Sequence, residues 1–207
     1  MLILTKLLII RHGRTEWNRV ERLRGRADIS LDEVGRKQAE AAARRVAEWQ
    51  LNTVYSSPLR RAMETAQTLA QPSGLEVKKL SEIIDIDYGQ WQGLSLEEAA
   101  ARGGELYKKW LHSPHQVKFP GGESLAEVRD RVVSALERLT AEHNKQTIAL
   151  VSHKVVCQVM VLSLLGLELS HFWDVTQDIC AVNYFEVRGG IPSALLINDT
   201  CHLEGLS

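Results

Sequence analysis

The apolar residues of this chain form short continuous runs that alternate with amphipathic stretches. Continuous runs at 7–10 and 147–151 are typical of strands that are buried on both faces of a parallel sheet. After Asp32 and after Ser124 the apolar residues recur at helical spacing instead, and both residues are suitable N-caps. This alternation predicts an α/β fold, in which the chain returns to one sheet after each helix.

The same reading predicts the remaining elements. Strands are expected at 53–56 and 75–80, and an apolar helix over 155–165 is expected to end at Gly166. Ser57 is predicted to cap a helix that has Pro58 in its first turn. An antiparallel edge pair is predicted at 181–187 and 194–198.

The segment 94–122 differs from the rest in its density of glycine and proline. A capping box formed by Ser95 and Glu98 opens a short helix there, and an irregular stretch is expected from that helix to Gly122. We therefore expect one domain over residues 1–207, with a lid-like insertion at about 94–122.

Charge and cysteine content narrow the classes of partner. The 25 basic and 26 acidic residues leave a net charge of -1, which argues against a broad nucleic-acid surface or an anionic membrane as partner. The first ten residues are expected to form a strand and not a signal peptide, and no apolar run reaches the ~18 residues of a membrane span. The separated residues Cys157, Cys180 and Cys201 suit reduced thiols, so a cytoplasmic location is expected.

Charged side chains stand where the buried runs end. Arg11 and His12 follow the first run, and His153 follows the run 147–151 at the start of an apolar helix. Arg60 and Arg61 lie in the first turn of another helix, where cations are unfavourable unless an anion binds there. Since the carboxyl ends of parallel strands share one edge of a sheet, these residues are expected around one point.

This set of residues suits phosphoryl transfer. A neutral imidazole can attack phosphorus, guanidinium groups can hold the phosphoryl oxygens, and an acid within 82–87 can protonate the departing alkoxide. No metal or other cofactor is required by this chemistry. The alternatives that remain at this point are a loop histidine beside a surface arginine, a solvated arginine pair and a structural His153.

Five motifs together resemble the histidine phosphatase superfamily, which has the phosphoglycerate mutase-like fold. They are Leu8-Ile9-Ile10-Arg11-His12-Gly13 with Thr15 and Asn18, Ser56-Ser57-Pro58-Leu59-Arg60-Arg61-Ala62 with Thr65-Ala66, Asp87-Tyr88-Gly89-Gln90-Trp91-Gln92-Gly93, Gly121-Gly122-Glu123-Ser124, and Val151-Ser152-His153. The resemblance implies a three-layer sandwich, in which a mixed, mainly parallel sheet has helices on both faces.

The resemblance also implies roles for individual residues. His12 is the expected nucleophile, and Arg11, Arg61 and His153 complete the phosphate pocket, with Asn18 and Ser57 nearby. The acid of the family is usually a glutamate four positions before the glycine matched by Gly89, which is Asp85 in this chain. Glu82 has the usual residue type but is out of register, and it is the alternative acid.

Within the superfamily, the sequence favours a metal-independent phosphatase acting on a small-molecule phosphomonoester. The stretches 113–119, 171–173 and 201–203 look like the metal-independent phosphoserine phosphatases. By this resemblance the expected substrate-binding residues are Asn18, Ser57, Arg24, Tyr88, Lys154 and His202. Three residues depart from the pattern: Tyr88 replaces a histidine that helps bind the amino acid, Arg24 stands where glutamine is common, and Lys154 follows the histidine where a small or neutral residue is usual.

Two other functions stay open. One is a cofactor-dependent phosphoglycerate mutase, although the lid lacks the arginine pair that holds a bisphosphoglycerate in such mutases. The other is a phosphate-binding module of low activity, for which the shorter acid and the extra cations Arg24 and Lys154 argue. The C-terminal edge pair and Phe172-Trp173 could form a homodimer interface or a packed part of the core.

Overall fold

The computed structural model describes residues 4–206, and its centre is a six-stranded sheet in the order β3-β2-β4-β1-β5-β6. The strands are β1 (Leu4–Arg11), β2 (Thr53–Ser56), β3 (Val77–Lys79), β4 (Thr147–Ser152), β5 (Val182–Arg188) and β6 (Ile191–Asp199). The first four strands are mutually parallel, whereas β5 and β6 add an antiparallel edge. The predicted mixed, mainly parallel sheet is therefore confirmed.

Helices cover both faces of this sheet. Within residues 4–206 they are α1 (Glu16–Arg19), α2 (Glu33–Val46), α3 (Arg60–Ala70), α4 (Leu96–Gly103), α5 (Glu105–His112), α6 (Leu125–Glu142) and α7 (Lys154–Leu165). Side chains alternate along β1, so that Leu7 and Ile9 join a core with α6 and α7, and Leu8 and Ile10 join a second core with α2 and α3. This arrangement is the predicted three-layer sandwich.

The register of the parallel strands brings three junctions together. Arg11 at the end of β1 pairs with Ser152 at the end of β4, and Val151 of β4 pairs with Ser56 at the end of β2. The residues that follow these strand ends, which are His12, His153 and Ser57, therefore emerge at one edge of the sheet.

Capping residues explain where several helices begin. Asp32 accepts a hydrogen bond from the Gly35 N–H at 2.7 Å at the start of α2, and Ser95 and Ser124 form capping boxes at α4 and α6. The predicted cap at Ser57 is wrong, because α3 begins at Arg60 and has Leu59 as its N-cap. The Ser57 hydroxyl is hydrogen-bonded to Nε2 of His153 instead.

The segment 94–122 is more regular than its glycines and prolines indicated. Two helices, α4 and α5, occupy half of it, and Gly104 joins them with a positive φ of 50°. The expected irregular stretch is therefore wrong, because Gly103-Gly104 ends one helix and starts the next, and Trp110 of α5 packs into the core. The strand β3 is shorter than predicted, and β6 is longer.

Some expectations about the chain as a whole stay predictions. The single domain with a lid over 94–122 is one of them, and the part of the expected opening strand at residues 1–3 lies outside the described residues, as does residue 207. Across residues 4–206, every helix is too short or too polar to cross a membrane.

Candidate active site

His12 is fully buried at the end of β1, and its surroundings fix the position of its proton. Its Nδ1 atom lies 2.6 Å from the carbonyl oxygen of Gly13. A carbonyl oxygen only accepts hydrogen bonds, so Nδ1 carries the proton and Nε2 keeps its lone pair. The Arg61 Nε–H points at this lone pair from 3.2 Å. The lone pair of His12 that faces the centre of the cluster is therefore the one on Nε2.

Arg61 lies in the first turn of α3 and has no exposed surface. Its Nε–H is shared between His12 Nε2, at 3.2 Å, and His153 Nδ1, at 3.1 Å. Its Nη atoms donate to the carbonyl oxygens of Ala27 and Gly25 and to the Asp85 carboxylate, at 2.7 to 2.9 Å. These bonds hold the guanidinium in one orientation between the two imidazoles.

His153 is the second imidazole of the site, and it is also fully buried. Because its Nδ1 accepts from Arg61, its Nε2–H donates to the Ser57 hydroxyl at 2.7 Å. Burial, together with the positive charge of Arg61, lowers the pKa of both His12 and His153 well below 6.5. Both imidazoles are therefore neutral at pH 7.

The two candidate acids have very different surroundings. Asp85 is only 5% exposed, and its Oδ2 lies 2.9 Å from an Arg61 nitrogen and 3.7 Å from His153 Nδ1. Burial raises the pKa of Asp85 against the opposing pull of Arg61 and Arg24. Glu82 forms an ion pair with Arg138 at 2.8 Å in a partly exposed position outside this cluster. Asp85 is thus the carboxyl group that the fold brings to the imidazoles.

A cavity of about 410 Å³ lies over this cluster. Six of the residues predicted for the site line it: Arg11, Asn18, Arg24, Asp85, Tyr88 and Lys154. The fully buried His12, Arg61 and His153 lie beneath the Asp85 side of the cavity, in contact with its carboxylate or with one another. The amide oxygen of Asn18 accepts from Thr15 at 2.8 Å, which orients that side chain at the cavity wall.

The lining of the cavity holds unbalanced positive charge. Arg11 donates to the Gln177 carbonyl at 2.7 Å, but its buried Nε and that of Arg24 have no hydrogen-bond partner among residues 4–206. Burial and the charge of Arg24 lower the pKa of Arg11 to about 10. Burial, Arg11 and Arg24 also lower the pKa of Lys154. Such an arrangement favours a bound anion.

Among the predicted site residues, His202 lies away from the cavity and from the cluster of His12, Arg61 and His153. Its Nε2–H donates to the Cys180 carbonyl at 3.1 Å, and it does not line the cavity. With Asp199 and Cys201 it forms a group whose ligand atoms lie within 4.8 Å of one another, and none of the three lines the cavity. The expected contact of His202 with substrate is therefore not supported by its position.

The packing around Gly13 explains why this residue is a glycine, which the sequence did not reveal. A Cβ atom at Gly13 would lie 2.4 Å from the carbonyl oxygen of Gly35, and one at Gly35 would lie 2.0 Å from the carbonyl oxygen of Arg14. The two glycines let the first turn of α2 pack directly against the loop after β1. This close approach explains why both residues are glycine.

Sequence reasoning also missed the aromatic side of the cavity. Tyr107, Trp110 and Trp173 line it, and the first two lie on α5, in the segment predicted to be irregular. The helical spacing of Leu106, Tyr107 and Trp110 was the signal that could have revealed this face.

Comparison with known proteins agrees with this geometry. The model of the histidine phosphatase superfamily (branch 1) matches residues 7–200. Phosphoserine phosphatase 1 of Hydrogenobacter thermophilus is 40% identical over 200 residues, which cover 97% of this chain and 95% of that protein.

Two solved structures extend the comparison to the fold. YhfR of Bacillus stearothermophilus is 26% identical and has a TM-score of 0.92, with 96% of this chain and 99% of that chain covered. The phosphoserine phosphatase of Entamoeba histolytica, in complex with 3-phosphoglyceric acid, is 32% identical and has a TM-score of 0.87, with 96% and 99% covered. The chain belongs to branch 1 of the histidine phosphatase superfamily and is a phosphatase that acts on phosphomonoesters.

Proposed function

We propose that the protein hydrolyses a small-molecule phosphomonoester through a phosphohistidine on His12, without a metal ion. The observation that carries this proposal is the tautomer of His12, whose unprotonated Nε2 lies against Arg61 and close to a second neutral imidazole. Cationic donors and a carboxyl of raised pKa line one cavity, and the buried nucleophile is linked to that carboxyl through Arg61.

In the first step His12 Nε2 attacks phosphorus in line with the ester oxygen. The P–N bond forms as the P–O bond breaks, and Asp85 in its protonated form gives its proton to the departing alkoxide. Arg11 and Arg61 stabilise the charge on the equatorial oxygens, and a phosphoryl oxygen replaces the imidazoles as the acceptor of the Arg61 Nε–H. His153, whose one N–H donates to Ser57, positions Arg61 and Ser57 around the phosphoryl group.

In the second step the ionised Asp85 accepts a proton from a water molecule. The oxygen of that water attacks phosphorus, the P–N bond breaks, and inorganic phosphate leaves with His12 neutral again. The positive charges of the arginines do the electrostatic work that a metal ion does in other phosphatases.

Phosphoserine is the first substrate to test, because the relative in Hydrogenobacter thermophilus and the structure from Entamoeba histolytica are both named phosphoserine phosphatases. Release of phosphate from phosphoserine and from p-nitrophenyl phosphate is measured in the presence of EDTA. We expect turnover by the wild type, acid-labile and base-stable phosphate on the protein, and neither in His12→Ala. Labelling of His12→Ala would overturn the proposal.

The same assay separates the alternatives. Conversion of 3-phosphoglycerate to 2-phosphoglycerate that is faster than phosphate release would indicate a mutase. Tight binding of inorganic phosphate with no turnover of any ester would indicate a binding module, for which the cations Arg24 and Lys154 remain the argument.

Two further expectations stay predictions. A cytoplasmic location is one, and a homodimer is the other. Phe172 is fully buried and Trp173 lines the cavity, so the dimer would pair through the edge strand β6, where Ile191 is 71% exposed. Sedimentation of the wild type and of Ile191→Lys at several concentrations tests this interface.

A further inference from the structure

The lining of the cavity combines two chemically different sets of residues. Asp85 and the cations described above form the charged set, which we call the floor. The other set, which we call the aromatic wall, is a group of rings that contact one another directly or through Trp91 and Phe119, namely Tyr88, Tyr107, Trp110 and Trp173. Asp85 reaches the buried imidazoles, so a bound phosphoryl group lies at the floor and the alcohol part of the ester extends toward the aromatic wall. The wall is therefore the surface that selects the alcohol.

The aromatic wall is held in place by contacts behind it. The Trp110 ring packs edge-on against Phe119 and Trp173, with centroid distances of 5.1 and 5.3 Å. The Trp173 Nε1–H donates to the Trp110 carbonyl oxygen at 3.1 Å, and Tyr88 packs edge-on against Phe119 at 5.0 Å. A ligand that meets this wall finds rings that are already ordered.

Two large apolar side chains of the cavity lining are exposed to solvent, which also favours a ligand with an apolar part. Trp173 is 40% exposed and Leu111 is 45% exposed, although both are large apolar residues of the cavity lining. An apolar surface of this kind beside a polar floor is typical of a site for a ligand with an apolar part. A cavity of about 410 Å³ also has room for an alcohol with a ring.

Phosphoserine fits this cavity less well. The cavity lining holds the cations Arg11, Arg24 and Lys154, which repel an ammonium group, and the Asp85 carboxylate is already paired with Arg61. Glu21 is the one further carboxylate in the lining, and it is exposed. The serine part also offers no apolar surface to the aromatic wall. Tyr88 adds a ring to this wall at the position where the phosphoserine phosphatases have a histidine.

We infer that the preferred substrate is a phosphomonoester of an aromatic alcohol, with its ring against Trp110, Tyr107 and Trp173. This inference rests on the proposed function and specifies its substrate class. It assigns the aromatic wall as the determinant of specificity, while the cationic floor binds the phosphoryl group that every substrate shares.

The test compares two esters with equally basic alkyl leaving groups, 2-phenylethyl phosphate and ethyl phosphate, so that only the ring differs. We expect kcat/KM to be at least about tenfold higher for the phenylethyl ester, and higher than for phosphoserine. Trp173→Leu and Tyr107→Leu should each lower the ratio of kcat/KM for the phenylethyl ester to kcat/KM for ethyl phosphate at least threefold, by raising KM for the phenylethyl ester.

Trp49→Leu is the matched control. Trp49 packs against Tyr184 at 5.3 Å in the second core, and it does not line the cavity. Its substitution should leave the ratio unchanged. Thermal unfolding of each variant shows whether it folds, and Tyr107→Phe, which keeps the ring, should keep the ratio.

The outcomes distinguish this inference from the function on which it rests. Equal kcat/KM for the two alkyl esters, a preference for phosphoserine, or a ratio that Trp173→Leu and Tyr107→Leu leave intact overturns the inference while hydrolysis through His12 stands. If the protein hydrolyses none of these three esters and does not hydrolyse p-nitrophenyl phosphate, the inference and the proposed function are both overturned.

Discussion

Asp85→Asn tests the assignment of the general acid most directly. The asparagine has nearly the same shape, and its amide oxygen can still accept either from the Ile86 N–H or from Arg61, at the 2.9 Å positions that the two carboxylate oxygens occupy. It has no acidic proton to give, so the variant removes proton transfer from the site while the backbone around it is kept.

The size of the effect depends on the leaving group. A positioned general acid typically contributes about 10² to 10⁴ in rate when the departing alkoxide is strongly basic. The p-nitrophenolate ion is weakly basic and leaves with little help. Since Asp85 is buried and burial raises its pKa, we expect at least a hundredfold loss of kcat on ethyl phosphate and a loss of about tenfold or less on p-nitrophenyl phosphate.

The assay is phosphate release from both esters at saturating concentration, with thermal unfolding as the check on folding. Glu82→Gln is the matched control, because Glu82 pairs with Arg138 in a partly exposed position and should lose little activity on either ester. Equal losses on both esters in Asp85→Asn, or a larger loss in Glu82→Gln, would refute the assignment.

Three other perturbations follow from the geometry. Arg61→Lys replaces a guanidinium that reaches both imidazoles and Asp85 with a single ammonium. The kcat/KM for p-nitrophenyl phosphate should therefore fall at least about a hundredfold, and a loss under threefold would contradict the role of Arg61 in holding the phosphoryl group. Because His12 and His153 have folded-state pKa values well below 6.5, the unfolded chain binds more protons than the folded chain below that pH. The free energy of unfolding should therefore fall by about 2 kcal/mol between pH 6.5 and 5.5, which urea unfolding at the two pH values measures. An unchanged free energy of unfolding would count against buried neutral imidazoles. Gly13→Ala places a Cβ 2.4 Å from the Gly35 carbonyl oxygen and should cost about 1 to 3 kcal/mol in the same measurement, whereas an unchanged midpoint would show that α2 can shift freely.

The strand ends of the site were predictable because their signals are local and repeated. Arg11-His12 and Ser152-His153 each follow a buried apolar run, and parallel pairing of β1 with β4 places the two junctions side by side. Arg61 in the first turn of α3 contradicts the preference of that position for acidic residues. The resemblance to a known family then supplied the roles of these residues.

The helices of the segment 94–122 were not predictable from the same kind of signal. Glycines and prolines near 103–120 indicate irregular backbone one residue at a time, whereas α5 forms because Tyr107 and Trp110 bury one face against other aromatic rings. Those rings come from Trp91, Phe119 and Phe172, which all lie outside α5. Tertiary packing of this kind decides the helix, and with it the aromatic wall.

The role of Ser57 shows why some local signals fail at a functional site. Serine before proline is a good helix start, yet α3 begins three residues later and the Ser57 hydroxyl accepts from His153 Nε2. Arg61 fixes the tautomer of His153 by donating to its Nδ1, and the Ser57 hydroxyl accepts the Nε2–H that this tautomer carries. Arg11 and Arg24, in turn, keep buried Nε atoms that no residue in 4–206 satisfies. Unsatisfied buried donors lower stability in the free protein and are available to a phosphoryl group, so the departures from local preference mark the site more clearly than any single motif.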